Sequence, residues 1–170
     1  MARVYVALGG NIDPAARLPQ AARLLRARFP GLECSSAWRN AAEGFAGDDF
    51  YNAVATFETP LGVGELRAVL HAIEEQCGRL RDDAKWAPRA MDIDLLLHGD
   101  YVGASAAGEL PRPDLLRRAY MLGPLAELAP GLRHPVAQRT IGELWAERLQ
   151  RGPPHLLQRL PLDLQAASAG

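Results

Sequence analysis

The string Met91-Asp92-Ile93-Asp94-Leu95-Leu96-Leu97 alternates apolar and acidic residues. Strand side chains alternate between faces. The pattern therefore predicts a strand with Met91, Ile93, Leu95 and Leu97 turned toward helices and Asp92 and Asp94 together on the opposite face. Two carboxylates on one face repel unless something positive sits between them. Hard divalent cations suit such a pair, and Mg²⁺ takes one or two carboxylates plus substrate phosphates. Arg79, Arg81, Lys85 and Arg89 lie just upstream. Acid for a metal beside base for a phosphate is the composition of a phosphoryl-transfer site. Taken alone, an Asp-x-Asp pair fits a solvated edge strand as well.

The rest of the chain supplies partners for this strand. Val4 to Leu8 reads as a buried first strand stopped by Gly9-Gly10-Asn11. Asp13-Pro14 reads as an N-cap followed by proline at the first helical position. Leu18, Ala22, Leu25 and Phe29 then fall at helical spacing, and Pro30-Gly31 ends that helix. Leu32 to Arg39 is a second predicted strand, and Asn40 to Asp49 a mobile loop. Phe50 to Glu58 is a third strand, with Phe50, Asn52, Val54, Thr56 and Glu58 on one face. Asn52 either caps a strand or reads a heterocycle edge, since an amide both donates and accepts.

Leu66, Val69, Leu70, Ile73 and Cys77 form a helical stripe, with Gly78 at the C-terminal cap and Glu74 at the stripe's edge. Asp82 to Ala90 is a second polar loop expected to be mobile. His98-Gly99-Asp100 makes a turn. Leu122, Leu125 and Leu128 continue as a helix stopped by Ala129-Pro130-Gly131. Thr140 and Glu143 form a capping box, starting a helix with Leu144, Trp145 and Leu149 inward. The expected plan is α+β: a ferredoxin-like βαββαβ core with an antiparallel sheet, helices on one face, and C-terminal helical additions. Residues 1–150 would form the domain, and 151–170 a loosely attached tail.

With 170 residues and 48% hydrophobic content, one domain with a real core is expected. A net charge of −1 argues against a general nucleic-acid binder. Cys34 and Cys77 do not make a disulfide framework. The N-terminal apolar run is short for a signal peptide, and no stretch spans a bilayer. A monomer in the cytoplasm, without nucleic-acid or membrane partners, is the expectation.

Several separated strings resemble, in order, those of the 6-hydroxymethyl-7,8-dihydropterin pyrophosphokinase family. Trp86, Pro88, Arg89, Asp92, Ile93, Asp94 and Leu95 fit its W-G-P-R-x-x-D-[LIV]-D-[LIVM] string, with Ala87 at the glycine. Ala7-Leu8-Gly9-Gly10-Asn11-Ile12 fits A-[LI]-G-S-N-[LI] with Gly10 at the serine. Phe50-Tyr51-Asn52 fits [FY]-x-N, and Ile73 to Arg81 fits I-E-x-x-x-G-R-x-R. Leu110-Pro111-Arg112-Pro113 with Arg118, Tyr120, Met121 and Leu122 fits [LV]-P-H-P…R-x-F-[MV]-L, with Arg112 at the histidine.

The resemblance implies an enzyme of folate biosynthesis. It would transfer pyrophosphate from ATP to the hydroxymethyl group of 6-hydroxymethyl-7,8-dihydropterin, releasing AMP. Asp92 and Asp94 would hold two Mg²⁺ ions, and Arg79 and Arg89 would be the catalytic arginines. Glu74, Arg81, Lys85, Ile93, Arg112, Pro113 and Arg118 would surround ATP. Gly44, Phe50, Asn52, Trp86 and Tyr120 would form the pterin slot. The chain departs from the pattern at Asn40 to Gly44, where threonine and proline are usual, and near Ala107 and Glu109, where basic and hydroxyl residues are. These departures leave open a divergent paralogue acting on a related pterin, or a pterin- and nucleotide-binding protein without turnover. A ferredoxin-like RNA-binding module would need a basic face with exposed aromatics, which the near-neutral charge and paired aspartates oppose.

Overall fold

The computed structural model describes residues 1–40, 49–78, 90–152 and 157–165. Gly44, Arg79, Arg81, Lys85, Trp86 and Arg89 lie outside the described residues, as do both expected mobile loops apart from Asn40, Asp49 and Ala90.

The strand at the centre is β1 (Ala2–Gly10), whose run Val4 to Leu8 is buried. It pairs antiparallel with β4 (Phe50–Thr59) along its whole length, from Ala2 opposite Thr59 to Gly10 opposite Tyr51. On its other side it pairs antiparallel with β5 (Asp92–His98). Two short strands, β2 (Glu33–Cys34) and β3 (Trp38–Asn40), pair with β4, and β6 (Gln158–Arg159) pairs with β3. The main path runs β5-β1-β4-β3-β6. This is the expected ferredoxin-like antiparallel arrangement.

Alternation decides what covers each face. One face presents Val4, Leu8, Phe57 and Ile93 to helices α1 (Pro14–Arg28) and α2 (Val63–Gln76), which bury Leu18, Leu25, Leu66, Leu70 and Ile73 against them. The other presents Tyr5, Val54 and Leu96 to α3 (Asp114–Arg117), α4 (Ala119–Leu128) and α5 (Ile141–Gln150), through Leu115, Met121, Leu122, Leu125 and Ile141. The C-terminal helical additions thus form a second covering layer. Each fully buried leucine or isoleucine contributes about 1.5–3 kcal/mol, so both layers anchor the sheet firmly.

Several expectations need correction. Gly9-Gly10 is not a turn: both glycines belong to β1, and Gly9 is paired on both sides. Asp13 precedes α1 in the left-handed region, at φ 45°, and its side chain makes no capping bond. The second strand is two, because Ser35 turns inward. Its N–H bonds the Val54 carbonyl, and its hydroxyl accepts from the Val54 N–H. Leu97 does not join Ile93 and Leu95. The β1–β5 register slips between Tyr5 and Val6, leaving Leu96 as an extra residue, so Leu97 packs with Tyr5 in the second cluster. Such a bulge turns later side chains to the opposite face. Leu149 is 42% exposed, and Ile141 supplies the inward anchor of α5 instead.

Within the segment expected to hang loosely, residues 157–165 are held against the fold. Arg159 pairs with Trp38 and Gln158 with Arg39, and the Leu160 N–H donates to the Ala37 carbonyl at 2.8 Å. Leu164 is 2% exposed within the α1/α2-side core. Arg26 reaches across to the Leu164 carbonyl at 2.7 Å.

Candidate active site

Two cavities meet at the edge strand. The first, of about 310 Å³, lies on the α4 side of the sheet and is lined by Gly9, Asn40, Phe50, Asn52, Arg118, Tyr120 and Met121, together with Asp92 and Asp94. The second, of about 450 Å³, is lined by Arg67, His71 and Glu74 of α2, by Ile93 of β5, by Ala107 and Gly108, and by Arg112. Asp92 and Asp94 line it too. Alternation along β5 accounts for this. Ile93 and Leu95 anchor one face in the core, so the two carboxylates share the other. Because β5 ends the sheet, those carboxylates are reachable from both cavities.

The wall of the first cavity is a row of three strands. Gly9 of β1 stands opposite Asn52 of β4 on one side and Asp92 of β5 on the other. A Cβ at residue 9 would come within 2.7 Å of the Asn52 Oδ1, so only glycine leaves that oxygen its place. Asn52 is 5% exposed, and its Nδ2 donates to the Oδ1 of Asn40. The facing wall is α4, with Tyr120 and Met121 in its first turn. Glu127, two turns on, ties the walls together. Its carboxylate accepts from the Ser36 N–H and Ser36 hydroxyl, both at 2.8 Å, and from the Trp38 indole N–H at 3.1 Å.

The second cavity holds the charge. Glu74 has only 3% of its side chain exposed, and it accepts the Ile93 N–H at 2.9 Å. That N–H lies on the open edge of β5, where a buried donor left unpaired would cost about 1–3 kcal/mol. His71 Nε2 stands 3.8 Å from Glu74. The backbone of Arg112 is pinned by its N–H to the Leu96 carbonyl at 2.9 Å. Its guanidinium lies 3.9 Å from Asp94 and 3.9 Å from Asp114. Both separations exceed hydrogen-bond length, and the buried Nε of Arg112 has no hydrogen-bond partner among the described residues. A buried donor without an acceptor suits an anion entering the cavity.

Among the described residues there is no group of three or more His, Cys, Asp or Glu side chains able to hold a metal ion by themselves. An all-oxygen pair fits an ion that completes its shell with water and phosphate, as Mg²⁺ does.

The structure brings Phe50, Asn52 and Tyr120 together at the first cavity, and Glu74, Ile93 and Arg112 at the second. Arg118, expected with the nucleotide group, lines the first cavity. Pro113 lines neither; it precedes α3 as its cap residue. Sequence reasoning missed Gly9, Asn40, Arg67 and His71 as lining residues. The signal for the last two was the spacing 67, 71, 74, which puts both on one helical face with Glu74.

The acidic pair therefore lines two adjoining cavities at the edge of a ferredoxin-like sheet. Residues 5–130 match the model of the 7,8-dihydro-6-hydroxymethylpterin-pyrophosphokinase family, and the chain belongs to that family. It is 39% identical over 142 residues to the 2-amino-4-hydroxy-6-hydroxymethyldihydropteridine pyrophosphokinase of Synechocystis sp., covering 82% of this chain and 72% of that one. The enzyme of the same name from Pseudomonas aeruginosa is 36% identical over 163 residues, covering 94% of this chain and 97% of that one. Among solved structures, Plasmodium falciparum HPPK-DHPS aligns over 94% of this chain with a TM-score of 0.71 at 14% identity. This chain spans 47% of that longer one, and the likeness is one of fold.

Proposed function

We infer that this chain transfers a pyrophosphoryl group from ATP to the hydroxymethyl group of 6-hydroxymethyl-7,8-dihydropterin, a step of folate biosynthesis. The observation that carries the reading is that Asp92 and Asp94 line both cavities at once. The pterin takes the first cavity, between the Tyr120 side of α4 and the polar edge offered by Asn52. ATP takes the second, beside Arg112, Glu74 and His71. The pterin hydroxyl gives up its proton to solvent, its oxygen attacks the β-phosphorus, the bond from that phosphorus to the oxygen bridging the α-phosphate breaks, and AMP leaves.

Asp92 and Asp94 hold two Mg²⁺ ions in this reading, and the ions supply charge neutralisation to the phosphates. Glu74 positions the pair by fixing the Ile93 backbone between them. Arg112 compensates phosphate charge from the nucleotide side, and Arg118 does so from the pterin side. Arg79, Arg81, Lys85 and Arg89 add further positive charge, with Arg79 and Arg89 as the catalytic arginines. Gly44 and Trp86 complete the pterin slot. A monomer working in the cytoplasm is part of the same proposal, and no described helix is long and apolar enough to cross a membrane.

The test is AMP release from ATP, Mg²⁺ and hydroxymethyl dihydropterin. AMP and pterin pyrophosphate should form in equal amounts. ADP as the product, or no AMP above background, would overturn the assignment.

A further inference from the structure

An amide recognises a ring edge only if something fixes which of its ends, the donating NH₂ or the accepting oxygen, faces the ligand. We propose that Asn40 is a positioning residue for Asn52: it holds the Asn52 amide in one orientation, and so sets the donor and acceptor pattern that the first cavity offers to a flat pterin-type heterocycle. This rests on the functional reading above and adds to it the residue that determines specificity.

The register supplies the geometry. Trp38 stands opposite Asn52, and Asn40 opposite Phe50, so Asn40 is the diagonal neighbour of Asn52 on one sheet face. The Asn52 Nδ2 donates to the Asn40 Oδ1. At its other end, the Asn52 oxygen occupies the space a Cβ of Gly9 would need, at 2.7 Å. The amide is thus held between an acceptor on β3 and the bare backbone of β1. Turning Asn52 over alone would set two carbonyl oxygens against each other in a site where Asn52 is 5% exposed.

The acceptor stays in place because its strand does. The backbone of Trp38 and Arg39 is paired with β4 on one side and β6 on the other, and the Trp38 indole is bonded to Glu127. Arg39 also meets Asp49 at 3.6 Å across the entrance to β4.

The experiment compares Asn40→Asp with Asn40→Leu by steady-state kinetics and by calorimetry with hydroxymethyl dihydropterin. Aspartate keeps an acceptor and forces the same orientation of Asn52; leucine keeps the size and removes the acceptor. Asn40→Leu should raise the pterin KM at least tenfold with the ATP KM within twofold of wild type. Asn40→Asp should recover most of that loss. If Asn40→Leu leaves the pterin KM unchanged, or weakens both substrates equally, Asn40 only ends a strand and the proposal is wrong. If Asn40→Asp is as impaired for the pterin as Asn40→Leu, the acceptor is irrelevant and the proposal is again wrong. A wild-type protein that binds no dihydropterin would overturn the functional reading itself, an outcome distinct from a variant without effect on a binding-competent protein.

Discussion

Asn52 and Asp92 flank Gly9 from opposite sides, one on each neighbouring strand of the same row. Adjacent strands lie about 4.8 Å apart, so the two residues sit about 10 Å from each other across the sheet. On the function proposed above, that separation would put ring recognition at one end of the slot and metal and phosphate chemistry at the other. A flat ring with a short arm, as in the proposed substrate, fits that span. The distance is set by the sheet itself and is therefore rigid.

The residue between them is the first to test. Gly9→Ala puts a methyl group within 2.7 Å of the Asn52 oxygen, and pairing on both flanks stops β1 from moving aside. Crowding of this kind costs about 1–3 kcal/mol. Calorimetry on Gly9→Ala should show pterin affinity reduced at least tenfold and binding of a non-hydrolysable ATP analogue changed less than threefold. Equal losses for both ligands would mean that the methyl distorts the whole sheet.

Asp92→Asn and Asp94→Asn should each lower turnover by more than a hundredfold with little loss of stability, because both carboxylates face the cavities. Removing one of two like charges on a strand face relieves repulsion. Melting temperatures close to wild type are expected, since Asp94→Asn also loses the charge facing Arg112 at 3.9 Å. Near-wild-type turnover with Mg²⁺ in either variant would remove that aspartate from the metal site.

Glu74 separates a structural from an electrostatic role. Glu74→Ala leaves the Ile93 N–H without its acceptor, which costs about 1–3 kcal/mol in a buried place. Glu74→Gln keeps an acceptor of the same length. Urea denaturation should therefore find the alanine variant clearly weaker than the glutamine variant, with turnover falling in the same order. A glutamine variant as unstable as the alanine one would make the charge itself the stabilising feature.

His134 gives the fold a pH dependence. It is 4% exposed, and its Nδ1 accepts the N–H groups of Val136 and Ala137 at 3.2 and 3.0 Å. Burial holds its pKa below the ordinary 6.5. The unfolded chain thus takes up the proton first as pH falls. The stabilisation is complete above about pH 6.5 and is lost as pH drops through the lowered folded-state value. Thermal melts from pH 7.5 to 5 should show the wild type losing more stability than His134→Asn, whose side chain does not titrate. Parallel curves for the two proteins would exclude His134 as the source.

Leu164 tests the C-terminal segment. It is 2% exposed against the α1-side core, and Leu164→Ala should cost about 2–5 kcal/mol. Truncation before residue 157 removes that anchor and uncovers the β3 edge, which then becomes a template for pairing with another copy. The truncated protein should melt lower and aggregate on warming. A melting temperature within 2 °C of wild type would show that 157–165 rests on the sheet without supporting it.

The acidic pair was legible in the sequence because strict alternation has one structural meaning. Helices α1, α2, α4 and α5 were legible from their apolar stripes, whereas the single turn α3 has none. Gly9 was not, since a glycine pair after an apolar run reads as a turn, and nothing local reveals that both flanks are paired. The bulge at Leu96 was hidden for the same reason: register is a property of two strands, and the leucine run satisfies either face. The short strand β6 carries no pattern, and it is held by contacts more than a hundred residues away in sequence. His71 and Arg67 were not legible because polar residues beside an apolar helical stripe read as a solvated face, whereas here they line the second cavity with Glu74.

The three hydrogen bonds that converge on Glu127 fasten α4 to the β2–β3 junction. Both walls of the first cavity are therefore joined before any ligand arrives. The conformational entropy of aligning them is spent during folding and is not charged again on binding. For the proposed pterin, a gap of preset width makes affinity follow shape: a substituent that thickens the ring should be refused, because the walls part only by breaking the Glu127 bonds at the far end of the helix.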